Sequence, residues 1–404
     1  MGKWGMVRLG DVFLSIKNGA SIKQGKPEGT GYPVTRIETI SDGRVNRSKM
    51  GYAGIEELGN YSDFILNSED ILMSHINSIK HLGKTALYTR QGAERIIHGM
   101  NLLRLQPDKR ILDSAYANYY FGSSYFKHQI PKITKNSVNQ SSFTITALKE
   151  LVIPLPPLEV QRKIVEALNR AFALIEKRKT QTEKLDLLIK SRFIEMFGDP
   201  GVNPRNWTEV RLSNILKGSP GNGIFAKNED YGSDGFEVIW LSDFIDKRSC
   251  DITSLKRINT QRKIEQYAVR YGDMLFCRSS LNRDGIGKCS FVPHINRTIL
   301  FECHIIRISI DLDLINPIYL QMFSTCTFFR NQIFANAKTS TMTTISQQGL
   351  LNCSIHLPPL TLQENFARFL IDVESKNHVL KQSQMQLEVI YNSLMQKCFR
   401  GEFF

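Results

Sequence analysis

A few short stretches of this chain carry residue types that could do chemistry, and each lacks part of what that chemistry needs. Asn316-Pro317-Ile318-Tyr319 resembles the Asn-Pro-Pro-Tyr/Phe signature of adenine amino-methyltransferases, but its second proline is missing. The aligned place in the other half of the chain reads Asp113-Ser114-Ala115-Tyr116. No glycine-rich strand-turn-helix is present to hold a methyl-donor cofactor. The tetrapeptide is therefore read as the start of a helix. Gly83-Lys84-Thr85 resembles the end of a phosphate-cradling P-loop, yet Ser78 stands where the loop needs its first glycine. Glu374-Ser375-Lys376 lies within a long helical pattern, a poor place for a nuclease centre. Cys289, His294, Cys303 and His304 do not have the ligand spacing of a zinc site. No nucleophile triad or carboxylate pair is arguable, so the expectation is no catalytic, cofactor-binding or metal residue.

What remains is binding chemistry. The net charge is +13 and the pI about 9.3. Residues 1–157 hold 20 Lys and Arg against 13 Asp and Glu, and residues 200–359 hold 18 against 14. Residues 158–199 (9 against 7) and 360–404 (5 against 5) are nearly balanced. Two basic bodies without a basic amphipathic helix fit a polyanionic partner, duplex DNA before a membrane. DNA contacts require Arg, Lys and amides for phosphates and groove edges. Segments combining these without apolar periodicity occur at matching places in both halves. In the first half they are Arg36, residues 74–84 with Ser74, His75, Asn77, Lys80 and Lys84, and residues 135–142 with Lys135, Asn139 and Gln140. In the second half they are residues 240–243 with Trp240, residues 278–288 with Arg278, Ser279, Arg283 and Lys288, and residues 338–341 with Lys338, Thr339 and Ser340. Asn139 and Gln140 suit adenine, and Arg278 or Arg283 suits guanine. Lys17, Lys23 and Lys26 are read as phosphate contacts or plain surface. Tyr119, Tyr120, Phe121, Tyr125 and Phe126 could stack on bases, but their helical spacing makes them core.

The matching places reflect a tandem duplication. Val7-Arg8-Leu9 returns as Val210-Arg211-Leu212, and Asp70-Ile71-Leu72 as Asp273-Met274-Leu275. Gly83-Lys84 returns as Gly287-Lys288, Leu103-Arg104-Leu105 as Ile306-Arg307-Ile308, and YFKHQI (125–130) as FFRNQI (328–333). Pro156-Pro157-Leu158 with Gln161 returns as Pro358-Pro359-Leu360 with Gln363. The offset stays near two hundred residues throughout. Each copy reads as short alternating strands, an aromatic helix (116–130 and 318–334), a polar loop (134–144 and 338–346), a short apolar strand, a double proline and a long helix.

The two long patterns, 158–199 and 360–404, have heptad-like apolar stripes. One stripe runs Leu158, Val165, Phe172, Lys179, Asp186, Phe193, beside Gln161, Leu168, Ile175, Thr182, Ile189, Met196. The other runs Gln363, Leu370, Asn377, Gln384, Tyr391, Cys398, beside Phe366, Val373, Leu380, Leu387, Leu394. Neither helix can bury such a stripe alone, and each is about 60 Å long. The economical solution packs them against each other. Their polar middles would fix register at a cost in stability. The predicted fold class is α+β: two tandem mixed α/β domains, 1–157 and 200–359, separated and followed by helices 158–199 and 360–404 packed as an antiparallel coiled coil. Because the two domains differ in sequence, the sites they read would differ too.

Bulk properties set the compartment. Hydrophobic residues make up 42% and charged residues 23%, ordinary for a globular chain with a core. No run of about eighteen apolar residues exists, and the start lacks a signal-peptide core. The seven cysteines all lie in the second half without a Cys-x-x-Cys pair, which suits free thiols in a reducing cytoplasm.

With these residues in view the chain resembles the DNA specificity subunits of type I restriction-modification systems. The resemblance rests on IPLPPLEVQRKI (153–164), LDLLIKSRFIEMFGDP (185–200), HLPPLTLQENF (356–366), Glu69-Asp70-Ile71-Leu72 and Gly272-Asp273-Met274-Leu275. It covers essentially the whole chain, in order. It implies two target-recognition domains, two central antiparallel helices, and a bipartite asymmetric target. It also implies no catalysis by this subunit. Two methyltransferase subunits would supply the S-adenosylmethionine chemistry, and restriction subunits the ATP- and Mg-dependent translocation and cleavage. Thr361 and Leu362 precede Gln363 where the family usually has an acidic residue, which leaves the methyltransferase contacts there open.

Overall fold

The computed structural model of the chain describes residues 4–23, 25, 29–41, 43–137 and 140–403. Its elements group into two compact units, Met1–Thr180 with Lys381–Phe404, and Gln181–Leu380. Each unit contains one copy of the repeat. Each completes its core with parts of both long helices, Leu158–Phe197 and Leu360–Arg400.

The double proline marks a junction built twice. In the first unit the strand Val152–Pro154 pairs antiparallel with Met6–Arg8. Its other edge is closed by a side chain: Gln129 Oε1 accepts from Val152 N at 3.0 Å, and Gln129 Nε2 donates to Val152 O at 3.0 Å. The prolines then end the strand and the long helix begins. Fully buried Gln161, in its first turn, donates to Pro156 O and Ile111 O and accepts from Asp113 N, all at 2.8 Å. Asp113 in turn caps the helix Ser114–Gly122. The second unit repeats this with Ser354–Leu357 against Thr208–Arg211 and with Gln332 on Ser354. Gln363 bonds to Pro358 O, Leu314 O and the backbone N of Asn316, the cap of Pro317–Ser324. Tyr116 and Tyr319 brace the junctions by donating to Pro154 O and His356 O. Gln161 and Gln363 therefore serve their own units as clamps rather than extending a helix–helix stripe.

Each unit has the same central strands. In the first, Ile71–Ser74 lies between Leu102–Pro107 and Thr85–Leu87, in a six-stranded sheet flanked by Phe13–Asn18 on one side and Gly43–Val45 with Ile40–Ser41 on the other. In the second, Met274–Cys277 lies between Ile305–Ile308 and Cys289–Phe291. A further four-stranded sheet there joins Tyr231–Gly232, Lys256–Ile258, Phe236–Ile239 and Ile299–Phe301. Ahead of each central strand a buried aspartate closes the turn. Asp70 accepts from Asn67 N, and Asp273 from Arg270 N and Ser309 Oγ. Burial raises both carboxyls above the usual range. Arg104 and Arg307, also repeated, are structural: they donate to Ile65 O and Asp63 O, and to Ala268 O.

The long helices pack against each other in both units. Phe172 meets Tyr391, with ring centroids 6.2 Å apart, in the first. In the second, Phe193 meets Phe366 at 5.4 Å and Asn377 Nδ2 donates to Asp186 Oδ1 at 3.3 Å. Contacts that climb one helix descend the other, so the pair is antiparallel. Ile164, Leu168, Met395, Cys398 and Phe399 enter the first core; Ile189, Phe193, Phe366, Leu370 and Val373 enter the second. Buried Asn377 is the polar register point the stripe predicts, and Arg248 of the second unit pairs with Glu374 at 2.7 Å and approaches Asp186 at 3.9 Å. Lys179, expected in the stripe, is exposed. No helix among the described residues is long and apolar enough to cross a membrane.

Two local expectations change. Each aromatic stretch, read as one helix, is broken. Ser114–Gly122 stops at Ser123, whose hydroxyl caps the next turn, and Pro317–Ser324 is separated from Thr327–Asn336. Tyr120, Phe121 and Phe126 are core, while Tyr119 and Tyr125 lie half-buried against it. The polar segments read as loops contain paired strands instead.

Two stability outcomes follow. Gln363→Ala strands the Asn316 N–H and two carbonyls, at about 1–3 kcal/mol for an unmet buried partner. The urea midpoint of the second unit should fall accordingly, and a loss below about 0.5 kcal/mol would mean that water replaces the clamp. Glu69 has φ +74° where the other copy has Gly272 at φ +83°. Glu69→Gly should stabilise by about 0.5–1 kcal/mol, since its exposed pairing with Lys109 is worth little. An unchanged or lowered midpoint would contradict this.

Candidate nucleic-acid interface

The central strand of each unit runs out into polar sequence, and there the structure joins segments far apart in the chain. Ile76–Asn77 follows directly on Ile71–Ser74 and pairs with Ser141–Ser142, which pairs with Lys135–Asn136. Phe143 N donates to His75 O, locking the crossing point. The second unit builds the same sheet: Ser279–Ser280 against Thr343–Ile345, and that against Ala337–Thr339, with Ile345 N donating to Arg278 O. Strands of two or three residues cannot stand alone. They persist because in each sheet one strand continues the buried central strand, the next lies between two others, and the third pairs along its outer edge.

The loop leaving this sheet closes on the central strand. Gly83 N donates to Ser74 O and Gly287 N to Cys277 O. Both glycines have positive φ, and a Cβ on either would press within 3 Å of Ile130 or Ile333. The repeated Gly-Lys pair thus bends the chain tightly and leaves the following lysine at the surface or its edge. It is a turn device, in keeping with the missing P-loop glycine.

Residues 74–84 and 135–142, and likewise 278–288 and 338–341, are thereby brought together. Lys80, Lys84, Lys135 and Gln140 are exposed, and Asn77 is half-buried, holding Ser74 Oγ at 3.3 Å. Among the described residues none of these three lysines forms an ion pair. Ser74 is 2% exposed and His75 7%, and burial lowers the His75 pKa, so a neutral ring sits beneath the sheet. Asn139 and Lys26 lie outside the described residues. In the second unit Lys338, Thr339 and Ser340 are exposed and Ser279 is half-buried. Arg278 donates to Cys303 O at 3.3 Å, Arg283 lies over the Phe334 ring at 5.3 Å, and Lys288 is held by Asp246. Arg36 and Trp240 each open a short helical turn, their backbone N donating to Thr39 Oγ1 and to Asp243 Oδ2. Trp240 carries Lys256 over its ring at 4.3 Å and packs on Tyr231. The Arg36 guanidinium also donates to Gly25 O.

The first unit adds a cleft of about 1030 Å³ that the sequence did not reveal. Arg44, Arg47, Lys80, Lys84 and Lys127 line it, with no acidic residue in the lining, and it reaches Phe172 and Tyr391 on the long helices. Arg47 is engaged by Glu94, whose carboxyl it holds at about 2. Arg44 lies 4.9 Å over the Phe172 ring. Lys127 aligns with Arg330 in the YFKHQI/FFRNQI match, so the repeat carried a signal for it. Arg44 had none beyond its neighbouring glycine.

The zinc set weighed from sequence is not assembled. Cys289 is buried with its Sγ on Ser324, and His294 stacks on Tyr271. Glu302, Cys303 and His304 do come together, with ligand atoms within 4.8 Å of one another. The chemistry of the sheets is therefore hydrogen-bonding and cationic: an array of amides, hydroxyls and long basic side chains on a rigid edge, suited to phosphates and base edges.

A family model described as the type I restriction modification DNA specificity domain matches residues 1–186. Among curated relatives, the putative type I restriction enzyme MjaX specificity subunit of Methanocaldococcus jannaschii is 38% identical over 223 residues, 52% of this chain and 52% of that protein. The EcoBI specificity subunit of Escherichia coli is 22% identical over 70% of this chain and 66% of its own length. The StySPI specificity subunit of Salmonella potsdam is 24% identical over 92% and 82%. The matched part thus spans about half of the first relative and two thirds of the second. Two solved structures share the fold from end to end. A chain from a study of complex assembly and conformational transition in the type I R-M system gives a TM-score of 0.59 at 18% identity, covering 100% of this chain and 98% of that one. The type I restriction-modification S subunit of M. genitalium gives 0.56 at 15%, covering 98% and 96%. The domain match and the curated relatives make residues 1–186 similar to the type I restriction-modification DNA specificity domain, and the two solved structures share the chain's fold.

Proposed function

We propose that this chain is the non-catalytic sequence-specificity subunit of a type I restriction-modification complex. Each unit reads one half of a bipartite, asymmetric duplex target, and the paired helices set the spacer between the halves. The subunit docks two methyltransferase subunits and, with the restriction/translocase subunits, directs both methylation and restriction. S-adenosylmethionine, ATP and Mg act in those partners, in the cytoplasm.

One observation carries this reading: the same three-stranded polar sheet projects from the central strand of both units, with different side chains on it. The first displays lysines without ion pairs and the second mostly tethered arginines, so the two would not read the same bases. Docking is supported by aliphatic side chains left in water on the helices. Among the described residues these include Leu174, Val389 and Ile390 in the first unit and Leu187, Leu188, Ile194, Ile371 and Val379 in the second. Water-facing residues of that size on a long helix suit protein contact.

Two measurements test the proposal. Replacing Lys80 and Lys84 by alanine in the assembled complex should weaken DNA binding uniformly across sequences. It should also lower the slope of log affinity against log salt by about one per lysine. An unchanged slope would remove these residues from the phosphate path. Inserting four helical residues within 176–184 lengthens the helix by about 6 Å. Sequencing methylated motifs in a host carrying the complex should then show a longer spacer and unchanged half-sites. Altered half-site bases would contradict the division of labour between sheets and helices.

A further inference from the structure

We propose that Glu302, Cys303 and His304 form a binding site for one divalent transition-metal ion of the zinc class, in the second unit beside Arg278, which joins the strands Met274–Cys277 and Ser279–Ser280. The donors are consecutive, and the turn folds them inward on one another. His304 Nδ1 lies 2.8 Å from Glu302 Oε2 and 3.6 Å from Cys303 Sγ. With metal–ligand bonds of about 2.0–2.3 Å, tetrahedral donors stand roughly 3.3–3.8 Å apart. The Cys–His distance already fits, and the Glu–His contact need open only from hydrogen-bond to ligand separation.

A second observation points to an ion. Glu302 is 4% exposed, and its Oε1 is buried with no hydrogen-bond partner. A buried carboxylate oxygen left unmatched is costly and rare, and a cation is the partner it lacks. Cys303 is half-buried and His304 exposed, so an ion has a route in and water can take the fourth position. Thiolate, imidazole and carboxylate together select a borderline ion such as zinc over the oxygen-seeking Mg or Ca. On binding, the Cys303 thiol releases its proton to solvent.

The turn is held in place before any ion arrives. Glu302 N donates to Ile239 O and Ile305 N to Glu302 O. Gly223 packs so closely on the Glu302 carbonyl that a Cβ there would fall 2.1 Å from it. Arg278 N donates to His304 O and its guanidinium to Cys303 O, occupying carbonyls and none of the ligand atoms. With Leu103 aligned to Ile306, the first unit has Gly99, Met100 and Asn101 at these positions. The cluster is thus no part of the shared scaffold. A bound ion would fix the turn from which two carbonyls anchor Arg278.

The test uses the full chain, freed of metal by chelation and kept reduced, titrated with Co²⁺ and then Zn²⁺. One cobalt per chain, a thiolate-to-cobalt charge-transfer band and displacement by zinc are expected. Cys303→Ser should abolish that band. His304→Gln, at an exposed position that does not threaten folding, should weaken cobalt binding about tenfold or more, and Cys326→Ser should change nothing. Absence of the band in the parent chain, or its persistence in Cys303→Ser, would overturn the proposal. DNA binding does not enter this readout, so its failure leaves the sequence-reading proposal standing.

Discussion

A primary amide sealed from water must find partners for its two donors and its acceptor, and Gln161 and Gln363 find theirs in the same three places. Proline contributes no N–H, so the backbone at each double proline cannot organise its own carbonyls. The glutamine one turn into the following helix takes Pro156 O or Pro358 O. The same side chain holds the segment ahead of the aromatic helix and accepts from that helix's cap. Strand end, helix start and helix cap are thereby fixed by one amide. The direction of each long helix relative to its own unit depends on it.

From that point the other repeated residues fall into place as scaffold. Gln129 and Gln332 close a strand edge with a side chain that imitates a neighbouring strand. Gly83 and Gly287 let the turn approach Ile130 and Ile333, which follow those glutamines in sequence. Asp70 and Asp273 cap the turn into the central strand. What the copies share is what holds the sheet edge still. Lys84 and Lys135 recur as Lys288 and Lys338, whereas on the same edge the copies differ at His75 against Arg278 and at Ile76-Asn77 against Ser279-Ser280. A rigid frame with variable side chains at its rim is the arrangement that separates folding from specificity.

The duplication, the strand before the prolines and both long helices were legible because each leaves a periodic or repeated mark. So was the antiparallel pairing, since two apolar stripes in one chain call for each other. The small sheets were not legible: strands of two or three residues have no alternation to read, and the strand that ties each sheet to the central strand lies far away in the chain from its partner. The candidate contacts Lys80, Lys84 and Lys135 were visible as residue types, while their assembly onto one edge was not. Arg44 was missed because a lone arginine after glycine has no pattern. Cys303 and His304 were considered with the distant Cys289 and His294, while Glu302 beside them was not, because three adjacent residues match no ligand-spacing rule. Gln161 and Gln363 were seen as helix positions; that each would turn back into its own unit depends on carbonyls that only the folded junction presents.

The first unit is assembled from the beginning and the end of the chain. Tyr116 and Tyr120 pack on Phe399, and Trp4 donates to Cys398 O. On a ribosome the residues of the second unit are all made before Met395, Cys398 and Phe399 exist. The usual order, in which the earlier domain finishes first, is therefore reversed here. The earlier-made half waits, with an aromatic face uncovered, until the last helical turns leave the exit tunnel. Premature termination would leave the later half intact and the earlier one unfinished.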